Sequence, residues 1–291
     1  MENTRYFYVS CISFTGLFKL ELQPTISRIS IYPVKSLDGI ALQKAQVGNG
    51  GCLLHDREYA ILDRNGKFIN GKSNAQTHLL RSGFDLEKEI ISFRHEEETA
   101  WHDFYLQKER PAIDEYLSEF FKMPASIVQN KEGRFMDMPD IAGVTILSTA
   151  SLEKVTGWYD GMDMEETRKR FRATIEISGV PPFWEDQLFI EEGTAVEFTI
   201  GDVIFLGISP RARCIVPTRH PQTGEIIHGF QRSFAQQRSA SLPDWSTLED
   251  YGHGYYLTVN CFIPPSELGK WIAVGDELKV TGKKTFPTFT G

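Results

Sequence analysis

The sequence predicts a mainly β protein with some α-helix, an α+β fold of two β-rich or β-barrel domains. Short segments in which apolar and polar residues alternate recur in both halves of the chain, and turns rich in Gly, Pro and Asp separate them. Helical periodicity is confined to a few short segments. One polar stretch between the halves is the expected domain join. We therefore expect an extension over residues 1–25, an N-terminal domain over 26–125, the join over 126–142 and a C-terminal domain over 143–285.

The first residues, MENTRYFYVSCISFTGLFKLELQP, contain an apolar run that superficially resembles a signal peptide. Ser10, Ser13, Thr15 and Gly16 dilute this run, and no small-residue cleavage site follows it. The run is also too short and too polar to span a bilayer. We expect a loosely attached extension or an additional strand, and no membrane span.

The first half contains predicted strands followed by one helix. Residues 26–32 alternate apolar and polar side chains until Pro33 ends the strand. REYAILDRNGKFING predicts a hairpin with its turn at residues 63–66, and EIISFRHE predicts a further strand. In RPAIDEYLSEFFKM, apolar residues recur at helical spacing before Pro124, at Ile113, Leu117, Phe120 and Phe121.

The second half combines helical segments with several strands. Ser148 or Thr149 can cap a helix that Gly157 closes, with Leu152 and Val155 facing inward. MDMEETRKRFR places acidic residues before basic ones, the order that a helix dipole favours. Strands are predicted in ATIEIS, LFIEE, AVEFTIGDVIFLGIS, YGHGYYLTVNCFI and WIAVGDELKVTG.

Composition and charge limit the classes of partner. The chain has 291 residues, of which 41% are hydrophobic and 24% charged, with a net charge of −8. A general nucleic-acid or anionic-membrane surface is therefore not expected, and a local basic cluster should bind a discrete anion. The four cysteines include no Cys-x-x-Cys pair, so we expect reduced thiols in a cytoplasmic protein.

One cysteine lies in the most basic loop of the chain, RARCIVPTRHPQTGE, residues 211–225. Arg211 and Arg213 precede Cys214, and Arg219 and His220 follow it. A single cysteine is usually a small buried hydrophobe, but nearby guanidinium groups stabilise a thiolate, which is both a nucleophile and a metal ligand. Residues 215–216 are expected to form a short strand, which would place Cys214 where a loop enters a sheet.

Two further segments place basic residues at strand ends. Lys35 and Ser36 follow the strand that ends at Pro33, where an ammonium and a hydroxyl can hold a phosphate. In RKRFRATIEISG, Arg170 and Arg172 flank Phe171 at the predicted start of a strand, so an inward Phe171 would place both arginines on the other face. Taken alone, each segment is also compatible with solvated surface charge.

Five fragments in order resemble a known family: ISRISIYPVKSLDGI, LHDREYAILDRNGKFING, RFRATIEISGVPPFWED, CIVPTRHPQTGE and VGDELKV. They are similar to MOSC proteins that carry the associated N-terminal β-barrel domain, with the amidoxime-reducing components and their bacterial counterparts as the nearest relatives. The resemblance extends from about Ile26 to about Gly282. It implies that the C-terminal domain is MOSC-like.

The resemblance also implies a cofactor and an activity. The family binds the molybdenum cofactor, molybdopterin, and a family cysteine that matches Cys214 is a metal ligand and catalytic residue. The cofactor-binding residues implied by the same match are Lys35, Ser36, Arg57, Arg172, Thr174 and Arg213. The implied activity is reduction of a small N-hydroxylated substrate with electrons from a separate donor protein, a ferredoxin- or cytochrome-type reductase. Pyridoxal phosphate binding is a further property that the family suggests.

The chain departs from the family pattern near this site. Relatives often have Arg-Pro-Asn where this chain has Arg172-Ala173-Thr174, and a threonine supplies one donor where the amide supplies two. Relatives also often have Thr and Asp at the positions of Pro217 and His220.

Three other functions remain open from the residues. The chain could carry the cofactor, or a sulfur atom on Cys214, without catalysing a reduction. A Cys214–His220 pair could support acyl transfer or hydrolysis, although no third orienting group is evident. The chain could also be a structural β-barrel protein without a site.

Overall fold

An eight-stranded sheet connects the two halves of the chain. The computed structural model describes residues 23–132, 134–138 and 143–287. The strands in chain order are β1 (Thr25–Ile31), β2 (Ile40–Leu42), β3 (Lys44–Gln46), β4 (Tyr59–Asp63), β5 (Leu80–Asp85), β6 (Ile90–His95), β7 (His102–Tyr105), β8 (Ala125–Gln129), β9 (Val144–Ser148), β10 (Ile175–Ser178), β11 (Thr194–Ile200), β12 (Val203–Ala212), β13 (Tyr256–Phe262), β14 (Trp271–Ala273) and β15 (Leu278–Thr285). The described α-helices are α1 (Arg110–Phe121), α2 (Thr149–Thr156), α3 (Met164–Phe171) and α4 (Phe230–Ala240). The predicted class, mainly β with some α, is confirmed.

The sheet order shows that the two halves interlock. The large sheet runs β15-β11-β12-β13-β9-β10-β1-β2, so β1 pairs with β10 of the second half. β3 likewise pairs with β14 from near the C-terminus. The remaining strands of the first half form the pair β4-β8 and the three-stranded sheet β5-β6-β7. Residues 25–29 therefore lie beside residues 175–178.

Separate clusters of buried apolar side chains stabilise these sheets. Alternate residues of β1, Ile29 and Ile31, pack with β11 and β12 residues such as Phe198 and Phe205 in the main core, and Ile26 joins this core across a register shift between Ile26 and Arg28. A second cluster lies in the first half and includes Ile113 of α1. Alternation along β1 therefore produces the buried face that the sequence predicted.

The predicted helix boundaries agree with the structure. Ser148 caps α2 by accepting a hydrogen bond from the Ser151 amide, and Gly157 follows its last residue. Helix α1 ends at Phe121 because Lys122 adopts a left-handed conformation before Pro124. Among its predicted apolar residues, Phe120 is only partly buried.

Three local strand predictions were wrong. Residues 170–172 do not begin a strand, because α3 continues to Phe171 and β10 starts only at Ile175. Residues 215–216 are not a strand either, because Val216–Thr218 form a 3-10 turn around Pro217, which cannot donate a ladder hydrogen bond.

The third wrong strand is LFIEE. Trp184–Leu188 form a 3-10 helix, and Phe189 makes a single bridge to Ala195. Leu188 and Phe189 are buried in the main core without a ladder, so burial and not strand pairing explains their apolar character. The predicted extension, residues 1–25, lies outside the described residues except for 23–25.

Candidate functional site

A cavity of about 480 Å³ brings together segments that are far apart in the chain. Every residue that the sequence assigned to the site lines it: Lys35, Ser36, Arg57, Arg172, Thr174, Arg213 and Cys214. The pairing of β1 with β10 brings the segment of Lys35 close to that of Arg172, because Lys35 lies just after β1 while Arg172 lies just before β10. The individual roles of these residues remain predictions.

Cys214 lies two residues after the end of β12 and is exposed. The amide of Arg213 donates to the Tyr255 carbonyl at 3.0 Å, which ties the start of the loop to the segment before β13. The other cysteines of the described residues, Cys52 and Cys261, are buried and free. Burial raises the pKa of Cys52 to about 11 and also raises that of Cys261. Cys214 is thus the accessible thiol of the described chain.

Arg170 holds the loop after Cys214 in place. Its Nη1 donates to the carbonyls of Pro217 at 2.7 Å and Arg219 at 2.6 Å. Its Nε donates to the Glu166 carboxylate at 2.9 Å, and the side chain is almost completely buried. Arg170 is therefore a buried structural clamp in α3, whereas Arg172 follows the end of that helix.

Two arginines lie over the ring of Tyr32. The guanidinium carbons of Arg57 and Arg172 lie 4.7 and 4.0 Å from the ring centroid, within the range of a cation–π contact. Arg57 also pairs with the buried Asp56, whose other oxygen accepts the Tyr32 amide at 2.8 Å. The Asp56–Arg57 pair thus locks the turn beside the strand end.

Arg172 has no carboxylate partner among the described residues. Its Nη2 is buried and donates no hydrogen bond within that part of the chain. Burial lowers the pKa of Arg172, the Tyr32 phenol opposes this shift, and the Arg57 guanidinium reinforces it. A buried cationic donor without an acceptor is costly, which favours an anionic ligand at this position.

Lys35 and Arg213 bring positive charge to other parts of the cavity. Lys35 Nζ donates to the Phe135 carbonyl at 2.8 Å and to Asp137 at 2.6 Å, and burial lowers the pKa of Lys35. Arg213 Nη2 donates to the Phe171 carbonyl at 2.7 Å, while its Nε is buried without a described partner. Burial, followed by the neighbouring Arg211 guanidinium, lowers the pKa of Arg213 to about 10.

Three of the predicted residues have left-handed backbone conformations: Ser36 at φ 74°, Arg57 at φ 50° and Arg172 at φ 51°. Residues other than glycine adopt this region at an energetic cost, and such positions cluster at functional sites. Thr174 contributes differently, because it is buried and its amide donates to the Thr145 carbonyl at 3.1 Å.

The cavity is strongly basic within an acidic protein. Thirteen Lys and Arg residues line it against four Asp and Glu residues, whereas the whole chain carries a net charge of −8. Such a concentration of one sign raises the local concentration of ligands of the opposite sign. The arrangement therefore suits a compact anionic ligand.

His220 does not complete a pair with Cys214. Its Nδ1 accepts the amides of Gln222 and Thr223 at 3.3 Å, and its Nε2 lies 3.8 Å from Glu166. The cavity lining includes Cys214 and excludes His220. The geometry therefore gives no support to a Cys–His nucleophilic site. Within the described ranges, no group of three or more His, Cys, Asp or Glu residues could hold a metal ion.

Sequence reasoning missed several residues that shape the cavity. Tyr32 lies in ISRISIYPVKSLDGI, where the alternation of apolar and polar residues indicates only the end of a strand. Asp137 was assigned to the polar join, and Arg81, which pairs with Asp38 at 3.1 Å and Glu96 at 3.0 Å, lay in an unassigned segment. Alternation in LRSGFD could have indicated the strand of Arg81, but nothing local indicated the position of Asp137.

No helix in the described part of the chain has both the length and the apolar character needed to cross a membrane.

Comparisons with known families cover most of the chain. The family model described as MOSC N-terminal beta barrel domain matches residues 23–126, and the model described as MOSC domain matches residues 139–279.

Two curated proteins are similar to this chain at low sequence identity. The molybdenum cofactor sulfurase of Homo sapiens is 23% identical over 266 residues, which is 75% of this chain but only 29% of the sulfurase. The mitochondrial amidoxime reducing component 2 of Bos taurus is 26% identical over 245 residues, which is 72% of this chain and 70% of that protein.

Among solved structures, the YUAD protein from Bacillus subtilis is 12% identical with a TM-score of 0.38. The match covers 91% of this chain and 97% of that one. A likeness at this level carries no argument about function.

Proposed function

This chain belongs to the MOSC family in both of its domains, and from that premise we propose that it binds a molybdenum cofactor in the cavity of Cys214 and acts as an oxidoreductase. The substrate class that we propose is a small N-hydroxylated compound. Its reduction takes up two electrons and two protons, breaks the N–O bond and releases water. The name of the amidoxime reducing component supports this substrate class.

The observation that carries the proposal is a set of unpartnered cationic donors in the same cavity as an accessible thiol. Arg172 Nη2, Arg213 Nε and Arg219 Nε are all buried, and none has a hydrogen-bond acceptor among the described residues. Buried donors are nearly always bonded in native proteins, so their acceptor should be a ligand rich in anionic oxygen. A pterin cofactor with a phosphate is such a ligand.

The residues present fit this group. Lys35, Ser36, Arg57 and Arg172 would hold the phosphate end, and Thr174 and Arg213 would contact the rest of the cofactor. Cys214 would supply a soft thiolate to the metal of the cofactor. The bound cofactor would provide the redox chemistry, while the chain binds and orients it. Pyridoxal phosphate binding, a cytoplasmic location and a separate ferredoxin- or cytochrome-type donor remain part of the proposal.

A second candidate is a carrier of the cofactor or of its sulfur. The name of the molybdenum cofactor sulfurase favours it, although this chain spans less than a third of that protein. Both candidates need Cys214 and a bound cofactor. They differ in turnover, because only the oxidoreductase converts a hydroxylamine to an amine when an artificial reductant is supplied.

The test combines metal and pterin analysis of the purified chain with this turnover assay. We expect molybdenum and pterin to copurify with the wild-type chain. Cys214→Ser should keep the fold, measured by circular dichroism, and abolish turnover, because serine is a harder and more basic ligand. Cys52→Ser is the matched control, since its buried thiol donates to the Asn49 carbonyl at 3.1 Å and a hydroxyl can do the same. Full molybdenum content and full activity in Cys214→Ser would refute the assignment of this loop as the metal site.

A further inference from the structure

A carboxylate of the chain itself already occupies an anion position in the cavity. Asp137 Oδ1 accepts a hydrogen bond from Lys35 Nζ at 2.6 Å, and its Oδ2 accepts one from Arg211 Nη2 at 3.2 Å. Lys35 follows β1 and Arg211 belongs to the end of β12, so Asp137 bridges cations from both halves of the chain. All three residues line the cavity of Cys214.

Within the described residues, neither of these cations pairs with any other carboxylate. Burial alone would raise the pKa of Asp137, but Lys35, Lys72 and Arg211 together lower it to about 2. The side chain is therefore ionised at neutral pH. A phosphate that approached Lys35 would meet this negative charge, and like charges placed together in a binding site oppose binding.

The position of Asp137 allows it to leave the site. Its side chain is 43% exposed, in contrast to 15% for Lys35, so the carboxylate can turn toward water while the ammonium stays. The backbone beside it is anchored, because the Phe135 amide donates to the Arg57 carbonyl at 2.9 Å. A change of side-chain rotamer is thus sufficient to exchange one anion for another.

We propose that Asp137 is an internal anion that occupies the Lys35–Arg211 position until an anionic ligand displaces it. Asp137 therefore sets the affinity of the cavity and selects ligands with enough charge to compete for both cations. The inference rests on the proposed function for the class of ligand, a phosphate-bearing anion. It requires no molybdenum, so it can be tested separately.

The test is calorimetric titration of the full chain, prepared in a host that lacks the pterin cofactor, with inorganic pyrophosphate as the probe. Asp137→Asn removes the charge with almost no change of shape. We expect its Kd for pyrophosphate to be about tenfold lower than that of the wild type, equivalent to about 1.4 kcal/mol. Asp137→Ser, which also removes the charge, should bind more tightly than the wild type as well.

Asp38→Asn is the matched control. It removes one negative charge from the same cavity, but Asp38 pairs with Arg81 and not with Lys35 or Arg211. We expect a much smaller gain in affinity for this variant. An equal gain in both variants would overturn the proposal, because the effect would then reflect only the net charge of the cavity.

The remaining outcomes are also decisive. An unchanged Kd in Asp137→Asn, or no detectable binding to that variant, overturns the proposal, because removal of the internal anion should expose the site. Tighter binding in Asp137→Asn, together with the absence of molybdenum and pterin from wild-type chain purified separately from a host that makes the cofactor, would reject the proposed function and retain the internal anion.

Discussion

Arg170→Met removes the clamp on the loop after Cys214, and its cost can be worked from the structure. The substitution keeps most of the apolar volume of the side chain. It deletes two hydrogen bonds to the carbonyls of Pro217 and Arg219 and the ion pair with Glu166. Loss of one partner of a buried ion pair costs about 3–5 kcal/mol. The Glu166 side chain is 19% exposed and can partly rehydrate, so we expect a loss of about 3 kcal/mol in the free energy of unfolding.

The assay is urea denaturation followed by circular dichroism, with Lys169→Met as the control. Lys169 is the adjacent residue of α3 and is exposed, so its substitution should change the free energy of unfolding by less than about 0.5 kcal/mol. We also expect Arg170→Met to change the rate at which iodoacetamide alkylates Cys214, because the loop loses its anchor. A stability loss below about 1 kcal/mol, similar to that of the control, would refute the reasoning that the clamp is buried and paired.

Three further predictions follow from the same structure. Arg172→Ala should weaken cofactor retention about 10- to 100-fold, and more than Lys35→Ala does. The guanidinium of Arg172 has a donor without a partner among the described residues, whereas the ammonium of Lys35 already pairs with Asp137 in the free chain. Equal cofactor retention in the two variants would contradict this ranking. A thiol reagent should modify exposed Cys214 in the native chain and buried Cys261 only after unfolding, as peptide mass spectrometry can show. Burial raises the pKa of Glu58, but hydrogen bonds and ion pairs outweigh it and lower the pKa from 4.5 to about 2. The ionised Glu58 therefore stabilises the fold fully above pH 4.5, and this stabilisation is lost as the pH falls toward 2. In Glu58→Gln, the free energy of unfolding should lack this contribution to its decrease with acid.

Local features of the fold were readable from the sequence because they depend on residues close together in the chain. Alternation predicted β1 and its buried face, and Ser148 and Gly157 marked the ends of α2. Residues 215–216 have strand propensity, but Pro217 removes the donor that a ladder needs, and the segment forms a turn. Propensity fails there because strand formation depends on a partner that the local sequence does not specify.

Some residues of the candidate site could likewise be identified from the sequence, and others only from the structure. The sequence by itself selected Cys214 from the charge of its flanks, and the family resemblance selected Lys35, Arg57 and Arg172. The charge pattern around Phe171 does not by itself distinguish Arg170 from Arg172. Helix α3 ends at Phe171, so Arg170 is a buried clamp inside the helix, while Arg172 lies beyond it and has no carboxylate partner among the described residues.

The tertiary structure alone decided which residues face one another across the cavity. The pairing of β1 with β10 places the Arg172 guanidinium against the ring of Tyr32, and the segment after β8 places Asp137 beside Lys35. The physical reason is that electrostatic and cation–π contacts depend on distance in space, and residues 35 and 137 become neighbours only when the pairing of β4 with β8 and the bridge between Val34 and Tyr59 bring their segments together.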